Sequence, residues 1–249
     1  MKIPVKISPD RIKDAFVEVK YTSKVPFEVS VGMFYKSLDE TYIYTNRSIG
    51  KQQLPSALPL NLSERLEIQI GSRPLFYNDK IKIELQPNSI IFNCLNAYIS
   101  WDIYKLEIEK VLTQLEKADV FKTYIRVGVR YISEYPNIDL TDCVKFSFSF
   151  GMPDIVSETY SFHSEFKQDS FRIILNLNNK LPVLSPKSSS DQLDVTPISN
   201  IDIDVIMENL KISSIKELLE CIDKTHLKEK EVFFNLLNEK FLDSLNPVF

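Results

Sequence analysis

Apolar and polar side chains alternate along TYIRVGVRYISEY, residues 123–135, and this alternation is the clearest indication of the fold class. Successive side chains of a β-strand point to opposite faces, so Ile125 and Val129 share one face with the valine between them. Arg126 and Arg130 fall on the other face, about 13 Å apart at about 3.3 Å per residue. The pattern predicts a strand that covers a core with one face and carries two positive charges on the other.

The same alternation predicts further strands on both sides of this stretch. They are residues 13–21, 40–46, 64–70, 79–86, 89–95, 144–151, 158–166, 170–177 and 199–207. SRPLFYNDK (72–80) and QPN (86–88) contain turn residues and predict connections between strands. SPKSSSD (185–191) predicts an exposed loop.

Helical spacing appears in three places. Residues 25–40 have roughly helical apolar spacing, and residues 101–118 follow Ser100, which is a suitable N-cap. Ser214 and Glu217 form a capping-box pattern before the closing segment, which predicts one long helix or two in tandem. The apolar stripe of the central helix consists of Trp101, Tyr104, Ile108, Val111, Leu112 and Leu115.

Runs of strands followed by a helix, occurring twice, predict an α+β fold with antiparallel sheets and helices packed on one side. The repetition suggests two similar strand-then-helix halves, residues 1–140 and 141–249. These halves are also compatible with a single compact domain.

Composition excludes several classes of protein. The chain has 249 residues, 44% of them hydrophobic and 26% charged, and its net charge of −4 gives no overall positive field for nucleic acid. The first residues, MKIPVKISPDRIKDAF, have no apolar segment typical of a signal peptide. No run approaches the roughly 20 apolar residues of a membrane helix. We therefore expect a soluble cytoplasmic protein without a membrane partner.

Cofactor and metal motifs are missing from the sequence. The five glycines do not cluster, which argues against the Gly-rich loops that bind phosphate in nucleotide-binding proteins. Two histidines and three scattered cysteines have no zinc-ligand spacing, and an odd number of cysteines does not suggest a disulfide framework. The sequence predicts no cofactor, no metal and no catalytic residues, although a triad assembled from distant residues remains open.

Arg126 and Arg130 have two interpretations. A guanidinium group suits phosphate and other anions, so the two residues could bind a ligand. Arginine also pairs with carboxylates within a fold, and Asp202, Asp204 or Glu134 could be the partners. We favour the second interpretation. Gly128, between the two arginines, has no side chain and would leave room for a neighbouring residue or backbone segment to approach.

The other candidate residues are expected to be structural. Asp202 and Asp204 share a strand face and could hold a hard cation, but solvation or pairing with arginine is the simpler expectation. Trp101 belongs to a core stripe. His226 lies on the apolar stripe of the closing helix with Phe233, and a partly buried, hydrogen-bonded histidine is favoured there over a general base.

Five short segments carry a resemblance to a known family. They are SPDRIKDAFVEVKY (8–21), YISWDIYKLEIEKVL (98–112), IRVGVRYISEY (125–135), ISNIDIDVI (198–206) and THLKEKEVFFNLLNEKFLDSLNP (225–247). In this order they resemble a sporadically distributed bacterial family of uncharacterised proteins, with an Arg-x-Gly-x-Arg-Tyr strand and a Trp-led helix. Ser133 departs from the asparagine more usual in that family, so the resemblance assigns it no role.

The resemblance implies genes carried on mobile elements, and hence a role in bacterial anti-phage defence or a toxin–antitoxin system. We expect a non-enzymatic accessory or regulatory subunit that binds another protein, which could be encoded nearby, and a homo-oligomer is compatible with this expectation. One alternative is a nucleic-acid or nucleotide sensor that uses Arg126 and Arg130. The other is a chaperone, similar to the SecB-type export chaperones, that binds apolar clients.

Overall fold

A single antiparallel sheet connects the strands of the computed structural model, which describes residues 2–48, 72–146, 157–186 and 193–249. In these ranges the strands are β1 (Ile12–Ser23), β2 (Ile43–Ser48), β3 (Ser72–Tyr77), β4 (Ile81–Gln86), β5 (Ser89–Cys94), β6 (Phe121–Pro136), β7 (Tyr160–Gln168), β8 (Phe171–Pro186) and β9 (Leu193–Met207). The helices are α1 (Phe27–Ser37), α2 (Trp101–Glu116), α3 (Ile215–Leu236) and α4 (Glu239–Ser244), with a 3-10 turn at Leu140–Asp142.

The strand order is β2-β3-β4-β5-β1-β6-β9-β8-β7, and every neighbouring pair is antiparallel. The predicted α+β class with antiparallel strands is therefore confirmed. Strand β6, which contains the opening stretch, lies between β1 and β9. It thus connects strands from both predicted halves, and a division at residue 140 stays a prediction.

The helices pack on one face of this sheet, as expected from the alternation. Val17 and Val19 of β1 and Val127 and Val129 of β6 are fully buried there. Together with β4 and β5 they form one core with α1, α2 and the start of α3. A second core joins β8 and β9 to the end of α3 and to α4. The predicted stripe of α2 supplies five fully buried side chains to the first core, and Trp101 is only partly buried.

Ile125 does not lie in the core, although the alternation predicts it there. Lys20 pairs with Arg126, but the next residue of β1, Tyr21, pairs with Tyr124. Ile125 is therefore the extra residue of a β-bulge, which reverses the alternation locally. Its side chain is 36% exposed, and Tyr124 takes the buried position instead.

Other local predictions have mixed outcomes. Residues 72–77, expected to be a turn, form β3 because they pair with both β2 and β4. Ser100 precedes α2, but its φ of 69° differs from usual N-cap geometry and its side chain makes no capping hydrogen bond. Ser214 precedes α3, also without a capping hydrogen bond from its side chain. The closing segment forms two helices in tandem, and Asn238 caps the second.

Several predicted segments lie outside the described residues. These are the strand at 64–70, most of the strand at 144–151 and most of the loop at 185–191. Among the helices of the described ranges, none is long and apolar enough to span a bilayer.

Candidate functional site

The structure separates the candidate residues of the sequence into two groups on opposite faces of the sheet. Arg126, Arg130, Asp202 and Asp204 lie on the face away from the helices. Trp101, His226 and Phe233 lie on the helix face and line one cavity.

Arg130 forms a bidentate ion pair with Asp202. Its Nε donates a hydrogen bond to Asp202 Oδ1 and its Nη2 donates one to Asp202 Oδ2, both at 2.8 Å. Asn176 Nδ2 donates to the same carboxylate at 3.0 Å. These hydrogen bonds raise the pKa of Arg130, and they satisfy an aspartate that is only 7% exposed.

Arg126 pairs with a residue that the sequence interpretation did not include. Its Nη1 donates to Glu18 Oε2 on β1, whereas the expected partners were Asp202, Asp204 or Glu134. Glu18 lies opposite Gly128 in the β1–β6 register, diagonal to Arg126. Arg126 is thus ion-paired within the fold, as expected, but the expected partners were wrong because β1, far away in sequence, is its neighbour in the sheet.

Asp204 has no hydrogen bond or ion pair within the described residues, although it faces Arg130 in the register. Burial raises its pKa to about 6, while Arg126 and Arg130 act in the opposite direction. Its Oδ1 lies 3.6 Å from the position that a Cβ at residue 128 would occupy. This is an ordinary van der Waals distance, so Asp204 does approach Gly128 as a neighbour, but a Cβ at this position would not exclude it.

Replacing Arg130 with alanine should lower the free energy of unfolding by about 1–3 kcal/mol. The change removes both hydrogen bonds to a carboxylate that is mostly hidden from water. Urea denaturation at neutral pH measures the difference.

The control for this prediction is Arg73→Ala. Arg73 pairs with Glu84 through a single hydrogen bond of 2.6 Å, and the Glu84 side chain is 23% exposed against 11% for Asp202. An exposed pair contributes about 1 kcal/mol or less. Equal losses in the two variants would contradict a structural role for the Arg130–Asp202 pair.

The second group of residues lines a cavity of about 450 Å³, called here the α2–α3 cavity. Its walls come from the N-terminal segment before β1, the start of β1, the start of α2, one face of β6, and α3. The aromatic side chains in the wall are Tyr98, Trp101, Tyr131, Phe233 and Phe234. Apolar and aromatic side chains contribute most of the wall surface, and charged side chains such as Lys6, Asp10 and Lys230 also line it.

His226 stacks on Trp101, with ring centroids 3.8 Å apart and ring planes 15° apart. The imidazole is 5% exposed, and its Nδ1 is buried without a hydrogen-bond partner in the described residues. The expected hydrogen-bonded histidine is therefore wrong at this atom. Burial, together with the charge of Lys230, lowers the pKa of His226 to about 3. The ring is neutral at physiological pH.

Glu229 is the other buried polar group of the cavity. It is 4% exposed, and no hydrogen bond or ion pair joins its carboxyl group to the described part of the chain. Burial raises its pKa to about 8, against the opposing charge of Lys230. The side chain is therefore largely a neutral carboxylic acid at pH 7.

Aromatic contacts hold the rest of the cavity wall. The hydroxyl groups of Tyr98 and Tyr131 are 3.4 Å apart, and their rings meet edge to face with centroids at 5.4 Å. Phe233 contacts Phe234 with ring centroids 5.1 Å apart. The cavity wall thus contains aromatic rings and two tyrosine hydroxyl groups.

Glu229 was missed as a site residue, although the sequence contains a signal for it. His226 and Phe233, seven residues apart, define the inner face of the closing helix, and position 229 falls between them on that face. A glutamate on an apolar stripe is unusual, because a buried carboxyl group needs a partner. Tyr98, Tyr131 and Ser133 carry no comparable signal.

Metal and thiol chemistry find little support in the described ranges. There, no group of three or more His, Cys, Asp or Glu side chains is placed to hold a metal ion. All three cysteines are free and buried. Burial raises the pKa of Cys94 and of Cys143 to about 11, and it also raises the pKa of Cys221.

Comparison with protein-family models and with curated proteins gives no match to this chain. The resemblance to a sporadically distributed bacterial family stays a prediction that rests on the short segments quoted above.

Proposed function

We propose that this protein is a non-enzymatic binding component that takes up a small organic molecule in the α2–α3 cavity. Two polar side chains of the cavity carry this proposal: His226, whose Nδ1 is buried without a partner in the described residues, and Glu229, which is 4% exposed and forms no hydrogen bond or ion pair there. A buried polar group without a partner costs about 1–3 kcal/mol. A ligand that pairs with such a group recovers this cost.

The size and lining of the cavity support the same proposal. A volume of about 450 Å³ lies within the range of about 300–1,000 Å³ that is typical of small-molecule sites. Such sites combine apolar and aromatic walls with a few polar groups that orient the ligand. The tyrosine hydroxyl groups, the imidazole and the carboxyl group supply these polar positions.

The titration of the candidate nucleophiles and bases favours binding over catalysis. Burial keeps the thiols of Cys94 and Cys143 protonated, and a thiol is a much weaker nucleophile than a thiolate. His226, with a pKa of about 3, is too weak a base to activate a nucleophile near neutral pH.

The biological setting of the proposal rests on the family resemblance. In a bacterial anti-phage defence or toxin–antitoxin system, the protein would act as an accessory or regulatory subunit that contacts another protein. Ligand occupancy of the cavity would then report a chemical signal to that partner. A second copy of this chain is also compatible as the partner.

Two alternative functions remain, and each of them has its own test. A nucleotide or nucleic-acid sensor would use Arg126 and Arg130, but both are engaged by carboxylates, so a phosphate has to displace Glu18 or Asp202. A SecB-like chaperone would use exposed apolar side chains. Phosphate binding weakens steeply with added salt, whereas binding of apolar clients does not.

A screen of small aromatic compounds by protein-observed NMR, on 15N-labelled protein, tests the proposed site. Trp101 is the only tryptophan, so its indole N–H gives one signal that reports directly on the cavity. We expect compounds that bind to shift this signal. In the Ser133→Phe variant, which places a ring in the cavity, their affinity should fall by at least about tenfold.

The matched control is Thr123→Phe, a substitution on the same strand away from the cavity lining. It should leave the affinities of the same compounds unchanged. Binding that neither shifts the Trp101 signal nor responds to Ser133→Phe would refute the cavity as the site.

A further inference from the structure

The chemistry of the cavity wall also indicates what kind of molecule it takes. On the basis of the proposed function, we propose that the ligand is a small organic cation with an N–H donor on an apolar body, and that Glu229 is its anionic partner. The position of the carboxyl group and the aromatic rings that line the same cavity support this proposal.

Glu229 meets the requirements of an anionic partner. Its side chain is 4% exposed and lines the cavity, and no described residue forms a hydrogen bond or ion pair with it. A carboxylate accepts hydrogen bonds at two oxygens, and a charge-assisted N–H donor gives the strongest of these bonds. An ammonium or amidinium group on a ligand supplies that donor.

Aromatic rings around the same space favour a cation. The π faces of tryptophan, tyrosine and phenylalanine attract positive charge, most strongly where water is excluded. Trp101, Tyr131 and Phe233 all line the cavity with Glu229. The imidazole stacked on Trp101 is neutral, so it does not repel a bound cation.

The fixed charges of the wall favour neither sign of ligand. Two lysines, Lys6 and Lys230, face three aspartates in addition to Glu229. One aspartate, Asp223, is already paired with Lys105 outside the lining. Lys230 forms no ion pair within 4.0 Å of Glu229. The remaining acidic groups still balance the lysines, so the wall does not favour an anion.

Binding of a cation should release a proton. Burial raises the pKa of Glu229 to about 8, so at pH 7 most molecules have to lose this proton before the carboxylate pairs with a cation. Below pH 8, the affinity for a cation should therefore fall by roughly tenfold for each pH unit. An alkylamine stays charged over this range, because its pKa is close to that of lysine, about 10.4.

Other groups that titrate near Glu229 have to be separated from it. On α3 these are Asp223, His226 and Lys230. From the other elements they are Lys6, Asp10, Tyr98, Asp102 and Tyr131. The Glu229→Gln variant retains all of them, so a pH dependence that disappears in this variant belongs to Glu229.

Three probes of one shape test the inference on the full chain. Phenethylamine is a cation, 2-phenylethanol is neutral and phenylacetate is an anion, and the fluorescence of Trp101 follows their binding. At pH 7 we expect phenethylamine to bind at least about tenfold more tightly than 2-phenylethanol, and phenylacetate to bind most weakly. Between pH 8 and pH 6 the affinity for phenethylamine should fall.

The Glu229→Gln variant gives the decisive comparison. It should bind phenethylamine at least about tenfold more weakly and without the pH dependence, while its affinity for 2-phenylethanol changes less than about threefold. Three outcomes would overturn the inference: an equal loss of affinity for both probes, an unchanged affinity for phenethylamine, or tighter binding of 2-phenylethanol than of phenethylamine by the natural protein. Each of them would still leave the cavity as a ligand site. If no probe and no compound of the NMR screen binds, the proposed function fails as well.

Discussion

Replacing Glu229 with glutamine should raise the free energy of unfolding at pH 8 by about 3–4 kcal/mol. The side chain is buried without a partner in the described residues, and its pKa rises from an ordinary value of 4.5 to about 8 in the folded protein. Glutamine has nearly the same shape as glutamate but does not ionise, so folding does not have to keep a proton bound at this position. The variant therefore avoids the cost of keeping a carboxyl group protonated at high pH.

The direction of the pH dependence follows from proton binding. Between pH 4.5 and pH 8 the folded protein holds a proton on Glu229 that the unfolded chain releases. The stabilising effect of this proton is complete below pH 4.5 and is lost as the pH rises to 8. The advantage of Glu229→Gln should accordingly shrink to about 1 kcal/mol or less at pH 5.

Urea denaturation of both proteins at pH 5 and pH 8 measures this difference. A control is Glu231→Gln, since Glu231 lies on the same helix but pairs with Lys228 at a more exposed position. It should change the free energy of unfolding by about 1 kcal/mol or less at both pH values. If Glu229→Gln gave the same small change, the carboxyl group would not be buried as described.

The same substitution is expected to stabilise the fold and to weaken the binding of a cation. Buried polar groups at binding sites commonly cost stability, because their partner is the ligand. If the Glu229→Gln variant gained stability and its affinity for the cation did not fall, this glutamate would have no role in binding.

Tyr104→Ala should have the second large effect, a loss of about 3–5 kcal/mol in the free energy of unfolding. Tyr104 is fully buried in α2, where it packs into the core shared with β1 and β6. Removing the ring leaves a cavity that close-packed neighbours fill only in part. Thermal or urea denaturation of the variant measures the loss.

Tyr104→Phe is the matched control for the ring. It removes only the hydroxyl group, which donates a hydrogen bond of 3.3 Å to the carbonyl oxygen of Ala15. One hydrogen bond of this kind contributes about 0.5–1.5 kcal/mol. Comparable losses in the two variants would mean that the hydrogen bond, and not ring packing, dominates at this position.

Periodicity in the sequence predicted the elements and their buried faces wherever the pattern was regular. The alternation in β1 and β6 and the stripe of α2 identified core residues such as Val17, Val129 and Leu112. This works because the period of side chains along a strand or a helix is a local property of the backbone. It fails at Ile125, where a bulge changes the period, and at residues 72–77, where turn residues occur inside a strand.

Local patterns in the sequence are sufficient to predict an α+β fold, the apolar side of each regular element, and two arginines opposite the core. The pairing of Arg126 with Glu18 follows only from the three-dimensional fold, since that contact depends on the register between strands about a hundred residues apart. The burial of Glu229 at a cavity also follows only from the three-dimensional fold. Burial of one side chain depends on how a strand, two helices and the N-terminal segment pack around it, and no local pattern encodes that arrangement.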